Sequence, residues 1–401
     1  MRLCRIAVNK AEVKRMDEMD DGWWLMCVAF QVDALVQDAF DVLRLIRSWS
    51  NSLTPINRIP PEILSLLPDF WDKDYKDQGK IGLTHVCRAW REIFTSRPSL
   101  WVDFNCADVD KTRVYFERSK TSSINVSLEI ADNLSPHDPF LQIIPCAIGR
   151  LKSLSVNGTS KNLPDIATHL SLPAPLLEDL SIGVGYIGNW PRHYPVLAST
   201  LFNGDLSSLY KLRLYYVHTE LPWRNMDNLT LFTLRNTSLE NDTAKHLLDF
   251  FESAPRLCEV QLHFVAPTSG AQSGRLVSLG CLKRMEIIGN KPCSLLLDHL
   301  LIPVGAELTI QVDYGRIEYH LPRSLDNSMN LSNFTKIHLH VDKHFSRMRL
   351  SGPNGQLSMK FSRGDTYFNI DSLTMFDTSK TERWEVISAV SNYYTSGISF
   401  S

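Results

Sequence analysis

The chain of 401 residues carries 42 basic against 44 acidic side chains, a net charge of −2, and so lacks the basic surplus expected of a nucleic-acid binder. Hydrophobic residues make up 44% and charged residues 21%, a globular balance that excludes wholesale disorder. On a prior of about 150 residues per domain, the length allows two or three domains.

Residues 1–55 carry a heptad-like stripe. Leu25, Val28, Val32, Leu35, Ala39, Val42, Ile46 and Trp49 follow one another at alternating steps of three and four. That spacing keeps one apolar line on one side of a helix. Self-association through residues 25–49 is one reading; an amphipathic helix lying on its own protein is the other, favoured by extra apolar residues at Phe30, Val36 and Phe40.

The next segment opens with Pro60 and Pro61, suited to a helix's first turn, and with Glu62 near the positive end of its dipole. Ile63, Leu64, Leu66 and Leu67 predict a short apolar helix that Pro68 limits. A charged loop, Trp71 to Lys80, follows. Ile81, Leu83, Val86, Cys87, Trp90, Ile93 and Phe94 then recur at helical spacing up to Arg97-Pro98. A core of this size leans on a partner or a neighbouring domain.

Three pieces of this segment, Ile59-Pro60-Pro61-Glu62-Ile63-Leu64, Leu83-x-x-Val86-Cys87-Arg88-x-Trp90 and Leu100-Trp101, resemble an F-box in order and spacing. The loop after Pro68 is longer and more charged than in compact F-boxes, and so resembles the variant abundant in mushroom-forming fungi. The resemblance implies docking onto the Skp-type adaptor of a cullin–RING (SCF) ubiquitin ligase. The implied adaptor-binding positions are Ile59, Pro60, Ile63, Leu64, Leu83, Val86, Cys87 and Trp90. An ordinary helical hairpin is the alternative.

Asp108 to Lys120 predicts a helix, with Val114, Tyr115 and Arg118 in its later turns, and Ile124 to Ile130 an alternating strand. From there an apolar-x-x-apolar-x-apolar pattern repeats, starting at Leu151, Leu177, Leu209, Leu257, Leu282 and Phe334, with poorer copies at Leu231 and Leu308. Steps between clear copies are mostly about 22 to 32 residues, the period of leucine-rich repeats, in which one strand and one helix make each unit. Intervening helices are expected at "DTAKHLLDFFESAP", capped by Asp242 or Thr243 and stopped by Pro255, and at Ser294 to Pro303. The irregular period resembles the degenerate repeats that follow F-boxes.

One copy runs into Gly183, Gly185 and Gly188, which spell the G-x-G-x-x-G of a dinucleotide-binding turn. Such a turn needs a helix opening at the third glycine. Here Asn189-Trp190-Pro191 follows at once, and Asp205 stands before the next strand rather than at its end, so the glycines read as loop residues. In "KIHLHVDKH", His338 and His340 share one face of a strand, with His344 beyond. No third ligand is set by spacing, so a metal site is not expected.

On a repeat sheet, the residues between ladder positions face outward. These are Ser181, Arg213, Tyr215, Arg235, Glu259, Gln261, His263, Glu286, Gln311, Asp313, His338 and His340. The target-binding set drawn from them is Arg213, Tyr215, Arg235, Glu259, Gln261, His263, His338 and His340, with Arg213, Tyr215 and Arg235 as the best anchors. Residues 346–401, with Trp384, Val386, Ile387 and Val390, read as a terminal cap over the last apolar face.

The eight cysteines show no C-x-x-C pair, and a chain of this size needs no disulfide framework. Triplets of the N-x-S/T type at Asn157, Asn236 and Asn333 would suit a secreted chain, but residues 1–20 are polar and lack an apolar signal core. The longest apolar run, Trp23 to Phe30, is far short of the roughly 20 residues of a membrane span. The expectation is an intracellular protein, cytoplasmic or nuclear.

The fold class expected is mixed, α+β and α/β: an N-terminal helix (1–55), an F-box (56–104), a linker helix and first strand (105–145), an irregular leucine-rich-repeat solenoid (146–345) and a cap (346–401). A doubly wound α/β sheet is the alternative. The function expected is a non-enzymatic substrate adaptor without cofactor or metal, its partners being the Skp-type adaptor, the cullin ligase and a protein target. The other readings are an interaction scaffold with a non-functional F-box and, resting only on Gly183–Gly188 or the histidines, a nucleotide- or metal-dependent enzyme.

Overall fold

The computed structural model describes residues 21–70, 76–106, 108–129, 139–185, 194–197, 201–219, 225–239, 244–265, 274–289, 294–303, 305–312, 336–341, 345–352 and 355–362. The chain divides into two compact units, residues 1–100 and 101–401.

The first unit opens with α1 (Asp21–Leu53), a helix of 33 residues. Among the described residues its apolar stripe is uncovered from Val32 on: Val32, Leu35, Val42 and Ile46 are exposed and Trp49 is 68% exposed, while Val28 is half-buried.

The unsatisfied carbonyls at the end of α1 find local donors. Asn57 Nδ2 donates to Asn51 O at 2.7 Å, Ser52 Oγ to Trp49 O at 2.6 Å and an Arg58 guanidinium nitrogen to Leu53 O at 3.3 Å. The same Asn57 side chain accepts from Trp90 Nε1 at 2.5 Å. One amide thus holds the end of α1 and the indole of a residue 33 positions later.

Helix α2 (Pro61–Leu64) begins at the prolines, as their spacing predicts. Helix α3 (Lys76–Val86) starts inside the predicted charged loop, so Lys76 to Lys80 are helical rather than looped. The single helix predicted over Ile81–Phe94 is two, because Cys87 is extended (φ −159°, ψ 174°) and α4 (Arg88–Thr95) starts after it. Arg91 Nε donates to Thr84 O at 2.9 Å and covers a carbonyl at the end of α3. Leu64, Leu83, Trp90, Phe94 and Leu100 are buried, with Trp90 and Phe94 edge to face at 5.8 Å. Arg97 closes the unit, donating to Ser65 O and pairing with Asp69 at 2.9 Å.

In the second unit, the strands in chain order are β1 (Asp103–Asn105), β2 (Ile124–Glu129), β3 (Leu151–Gly158), β4 (Asp179–Val184), β5 (Val196–Leu197) and β6 (Lys211–Tyr215). They continue as β7 (His218–Thr219), β8 (Leu231–Arg235), β9 (Ser238–Leu239), β10 (Glu259–His263), β11 (Val277–Ser278) and β12 (Arg284–Gly289). The last are β13 (Leu300–Leu301), β14 (Glu307–Val312), β15 (Lys336–Val341), β16 (Phe345–Gly352) and β17 (Gly355–Ser362).

The main sheet has 12 strands in the order β1-β2-β3-β4-β6-β8-β10-β12-β14-β17-β16-β15. From β1 to β14 every pairing is parallel and each strand joins beside the one before it. A doubly wound sheet starts in its middle and reverses direction, so that alternative fails on strand order. Parallel strands β5-β7-β9 form a second sheet and β11-β13 a third.

The apolar pattern sits in register across the main sheet. Leu154, Leu180, Leu212, Phe232, Val260, Met285 and Leu308 are successive cross-strand partners, as are Val156, Ile182, Leu214, Leu234, Leu262, Ile287 and Ile310. All are buried. Helix α5 (Val109–Ser119), capped by Asp108, which accepts from Lys111 N at 3.0 Å, brings Tyr115 onto Trp101 at 4.9 Å. Helices α6 (Pro139–Ala147) and α7 (Leu163–His169) follow β2 and β3. Helix α8 (Ala244–Ser253) sets Phe250 and Phe251 on Phe232, with centroids 4.1 and 6.5 Å away. Arg275 ties the chain before β11 to α8 through Asp249 at 2.6 Å and Glu252 at 2.8 Å.

The structure departs from one strand plus one helix per unit. Among the described residues, the β4–β6 and β6–β8 connections hold the two-residue strands β5 and β7 and no α-helix. Of the helix predicted at Ser294 to Pro303, only α9 (Ser294–Leu297) forms, and Leu300–Leu301 is strand. The copy at Phe334 yields β15, but it pairs antiparallel with β16, which pairs antiparallel with β17. The predicted boundary at 345/346 therefore falls inside one antiparallel meander. The cap candidates Trp384 to Val390, and the cap residues Asp242 and Thr243, lie outside the described residues.

Asn57→Ala leaves the indole N–H of Trp90 and the end of α1 without these partners. At about 1–3 kcal/mol for a buried group left unsatisfied, amide exchange across Arg88–Thr95 rises at least about fivefold by mass spectrometry.

Candidate interaction surfaces

The first unit divides the eight residues singled out for adaptor docking. Leu64, Leu83 and Trp90 are buried and hold its core together. Cys87 is half-buried at the break between α3 and α4. Ile59, Pro60, Ile63 and Val86 are exposed, Ile63 by 55% and Val86 by 53%. Sequence reasoning missed Ile56, Leu66 and Phe70, which are also exposed, Phe70 by 82%. The signal was present in "LSLLPDF": with Leu64 and Pro68 turned inward, alternate apolar residues of the same short turns have nowhere to go but out.

In the second unit, the face between the apolar columns brings six of the eight target-binding candidates together on β6, β8 and β10. Tyr215, Arg235 and His263 are successive cross-strand partners in one row. A second row runs Ser181, Arg213, Thr233, Gln261, Glu286 and Thr309. Glu259 stands in a third, between Leu231 and Arg284. Gln311 partners Ile288 at the far side.

The rows are cross-linked by side chains. Arg213 pairs with Asp179 at 2.7 Å, both about a quarter exposed, and Thr233 Oγ1 lies 3.3 Å from Gln261 Oε1. His263 Nε2 is buried and 3.7 Å from Glu286 Oε2, beyond hydrogen-bond reach. Burial pushes the His263 pKa below its ordinary value; Glu286 opposes the shift and Arg235 adds to it. Burial likewise raises Tyr215, while Arg213 and Arg235 pull it back, so its phenol stays a neutral donor.

The end of this face carries a feature absent from the sequence reading. Tyr216, Asn236 and Phe264, each the residue after its strand, have φ of 55°, 48° and 55°. Their N–H groups donate to carbonyls at the ends of the next strands, Arg235, His263 and the penultimate Ile288. A left-handed conformation is costly for an aromatic residue and persists where the surroundings over-determine it. Here the bonds to the next strand hold it, and they leave Phe264 43% exposed beside the Tyr215–Arg235–His263 row. The signal, an aromatic directly after "LRLY" and "QLH", was visible but has no meaning without the turn.

The glycines now have a structural account. Gly183 is not the loop residue expected: it lies within β4, where a Cβ would come 2.8 Å from Tyr215 Cβ and 3.1 Å from its carbonyl oxygen. Gly185 N donates to Gly158 O at 2.8 Å. Gly188 lies outside the described residues. Asp205 accepts from Ser207 Oγ at 2.9 Å in a local turn and ends no strand.

His338 and His340 are not part of the row. They sit in β15, five strands out from β10, about 24 Å at ~4.8 Å per strand. Arg349 and Arg347 are their antiparallel partners in the register. Asp313 and His344 lie outside the described residues. Among the described residues no group of three or more His, Cys, Asp or Glu could hold a metal, and no helix is long and apolar enough to cross a membrane.

No known protein family matches the chain, and no curated protein or solved structure does either.

Two outcomes follow. Gly183→Ala forces Tyr215 away and destabilises the second unit by about 1–3 kcal/mol, read as a lower melting temperature. For His263, the unfolded chain binds a proton near pH 6.5 while the folded one resists it, so its contribution is present above that range and lost as pH falls below it. The melting temperature of the wild type therefore drops more steeply on acidification below about pH 6.5 than that of His263→Gln.

Proposed function

We propose that the chain is a substrate-recognition adaptor of a cullin–RING ubiquitin ligase of SCF type. Its first unit docks onto a Skp-type adaptor as an F-box, and its second, a degenerate leucine-rich-repeat solenoid, holds a target protein. The observation that carries the reading is the division of the F-box-like segment. Leu64, Leu83 and Trp90 form its core, while Ile59, Ile63 and Val86, from the same two motif pieces, are exposed apolar residues. A segment this short with apolar side chains on both sides of its core is built to be completed by another surface.

The repeat reading is supported by the order of the sheet, in which each parallel strand joins beside its predecessor, and by the unbroken columns of buried residues. The target face supported best is the Tyr215–Arg235–His263 row with Arg213, because tyrosine and arginine anchor interfaces at small entropic loss. On this reading the protein makes and breaks no bonds. It holds a target beside a ubiquitin-charged enzyme and raises the local concentration of one for the other.

The test is co-expression with a Skp-type adaptor and size-exclusion chromatography, using the doubly substituted Ile63→Asp/Val86→Asp chain as control. Both positions are exposed, so the variant keeps the wild-type circular dichroism spectrum. A complex that co-elutes with the wild type and is lost in the variant is the expected result. Folded wild-type protein that elutes alone overturns the ligase reading and leaves an interaction scaffold.

A further inference from the structure

Helix α1 is the largest feature that the adaptor reading leaves unused. Its apolar line is exposed from Val32 to Leu53. Counted as a heptad with Val32, Ala39 and Ile46 at a and Leu35, Val42 and Trp49 at d, the line has a second apolar row beside it at e, with Val36 and Leu43. Apolar residues at a, d and e make a face wide enough to be covered by another helix rather than by water.

We infer that a second copy of this chain covers that face, the two α1 helices running antiparallel. With the two-fold axis between residues 40 and 41, Val32 of one copy meets Trp49 of the other, Leu35 meets Ile46 and Ala39 meets Val42. The bulkiest side chain thus faces a small one, whereas a parallel pair would stack Trp49 on Trp49 and leave Ala39 on Ala39. The flanks agree. An antiparallel pair sets e beside e, so Val36 lies against Leu43; a parallel pair sets g beside e and would place Asp38 against Leu43.

Charge selects the same arrangement. Before the axis the helix carries Asp21, Asp33 and Asp38, and after it Asp41, Arg44 and Arg47, with Arg44 paired to Asp41 along its own helix at 2.7 Å. In the antiparallel register, Asp33 comes level with Arg47 of the second copy and Asp38 with Arg44, while a parallel pair opposes like charges. Four acids against two bases also disfavour an anionic lipid surface as the occupant, since interfacial helices are rich in Lys and Arg.

With this axis residues 28–53 of the two helices lie side by side, about 39 Å at ~1.5 Å per residue, so a pair ~10 Å wide covers roughly 800 Å² before side chains interdigitate. That approaches the scale of about 1,000 Å² for a specific interface. This inference does not depend on adaptor binding and stands or falls separately.

The test is the mass of the full chain in solution, by sedimentation velocity and light scattering at micromolar concentration. Twice the chain mass of 45.7 kDa is expected. Val32→Glu and Trp49→Lys should each give a monomer, because each buries a charge opposite an apolar residue. Combining both substitutions in one chain should restore the dimer, since the antiparallel register opposes the introduced glutamate and lysine. Unchanged circular dichroism spectra would show that the exposed sites leave the fold intact. A monomeric wild type, with or without binding to anionic phospholipid vesicles, overturns the inference. So does a dimer that survives both single substitutions, or a double variant that stays monomeric.

Discussion

The second unit depends on register. A parallel ladder forces residues of equal position on neighbouring strands into one row, and a slip of one residue would turn every apolar side chain to the polar face. Here Leu180 must lie between Leu154 and Leu212, and Ile182 between Val156 and Leu214, or the column opens. The polar rows on the opposite face inherit their places from that requirement. Tyr215, Arg235 and His263 are neighbours because Leu214, Leu234 and Leu262 are.

The same constraint explains the left-handed residues. After β6, β8 and β10 the chain must leave the sheet at the same angle, and Tyr216, Asn236 and Phe264 make the same turn with the same hydrogen bond to the next strand. Glycine would make the turn without strain. Tyr and Phe make it under strain and put an aromatic ring at the end of the polar rows. Gly183 shows the reverse exchange: β4 gives up a side chain, and the space admits Tyr215.

The first unit obeys a different rule. It is too short to bury both sides of its helices, and it spends its few large side chains on one core, with Trp90 held by Asn57 and packed on Phe94. The residues left outside, and the uncovered face of α1, are what a small unit has available for partners. In both units, surface follows from what the core could not take in.

Much of this was legible in the chain. The period of three and four in α1, the proline start of α2, the Asp108 cap of α5 and the apolar-x-x-apolar-x-apolar copies are local patterns, and local sterics and hydrogen bonding decide them. The sequence by itself therefore determined the elements and the inward side of most strands. It could not say that Cys87 breaks one helix into two, that Lys76 to Lys80 open α3, or that the copy at Phe334 turns back antiparallel, since each is settled by packing beyond the local stretch. Nor could it separate Leu64, Leu83 and Trp90 from Ile63 and Val86, which share motif and chemistry and differ only in what lies next to them. His338 and His340 looked equal to His263 by alternation alone. Strand order put one histidine beside Arg235 and Glu286 and the other two beside arginines at the sheet's edge, because which strands become neighbours is a property of the whole sheet and of no single stretch.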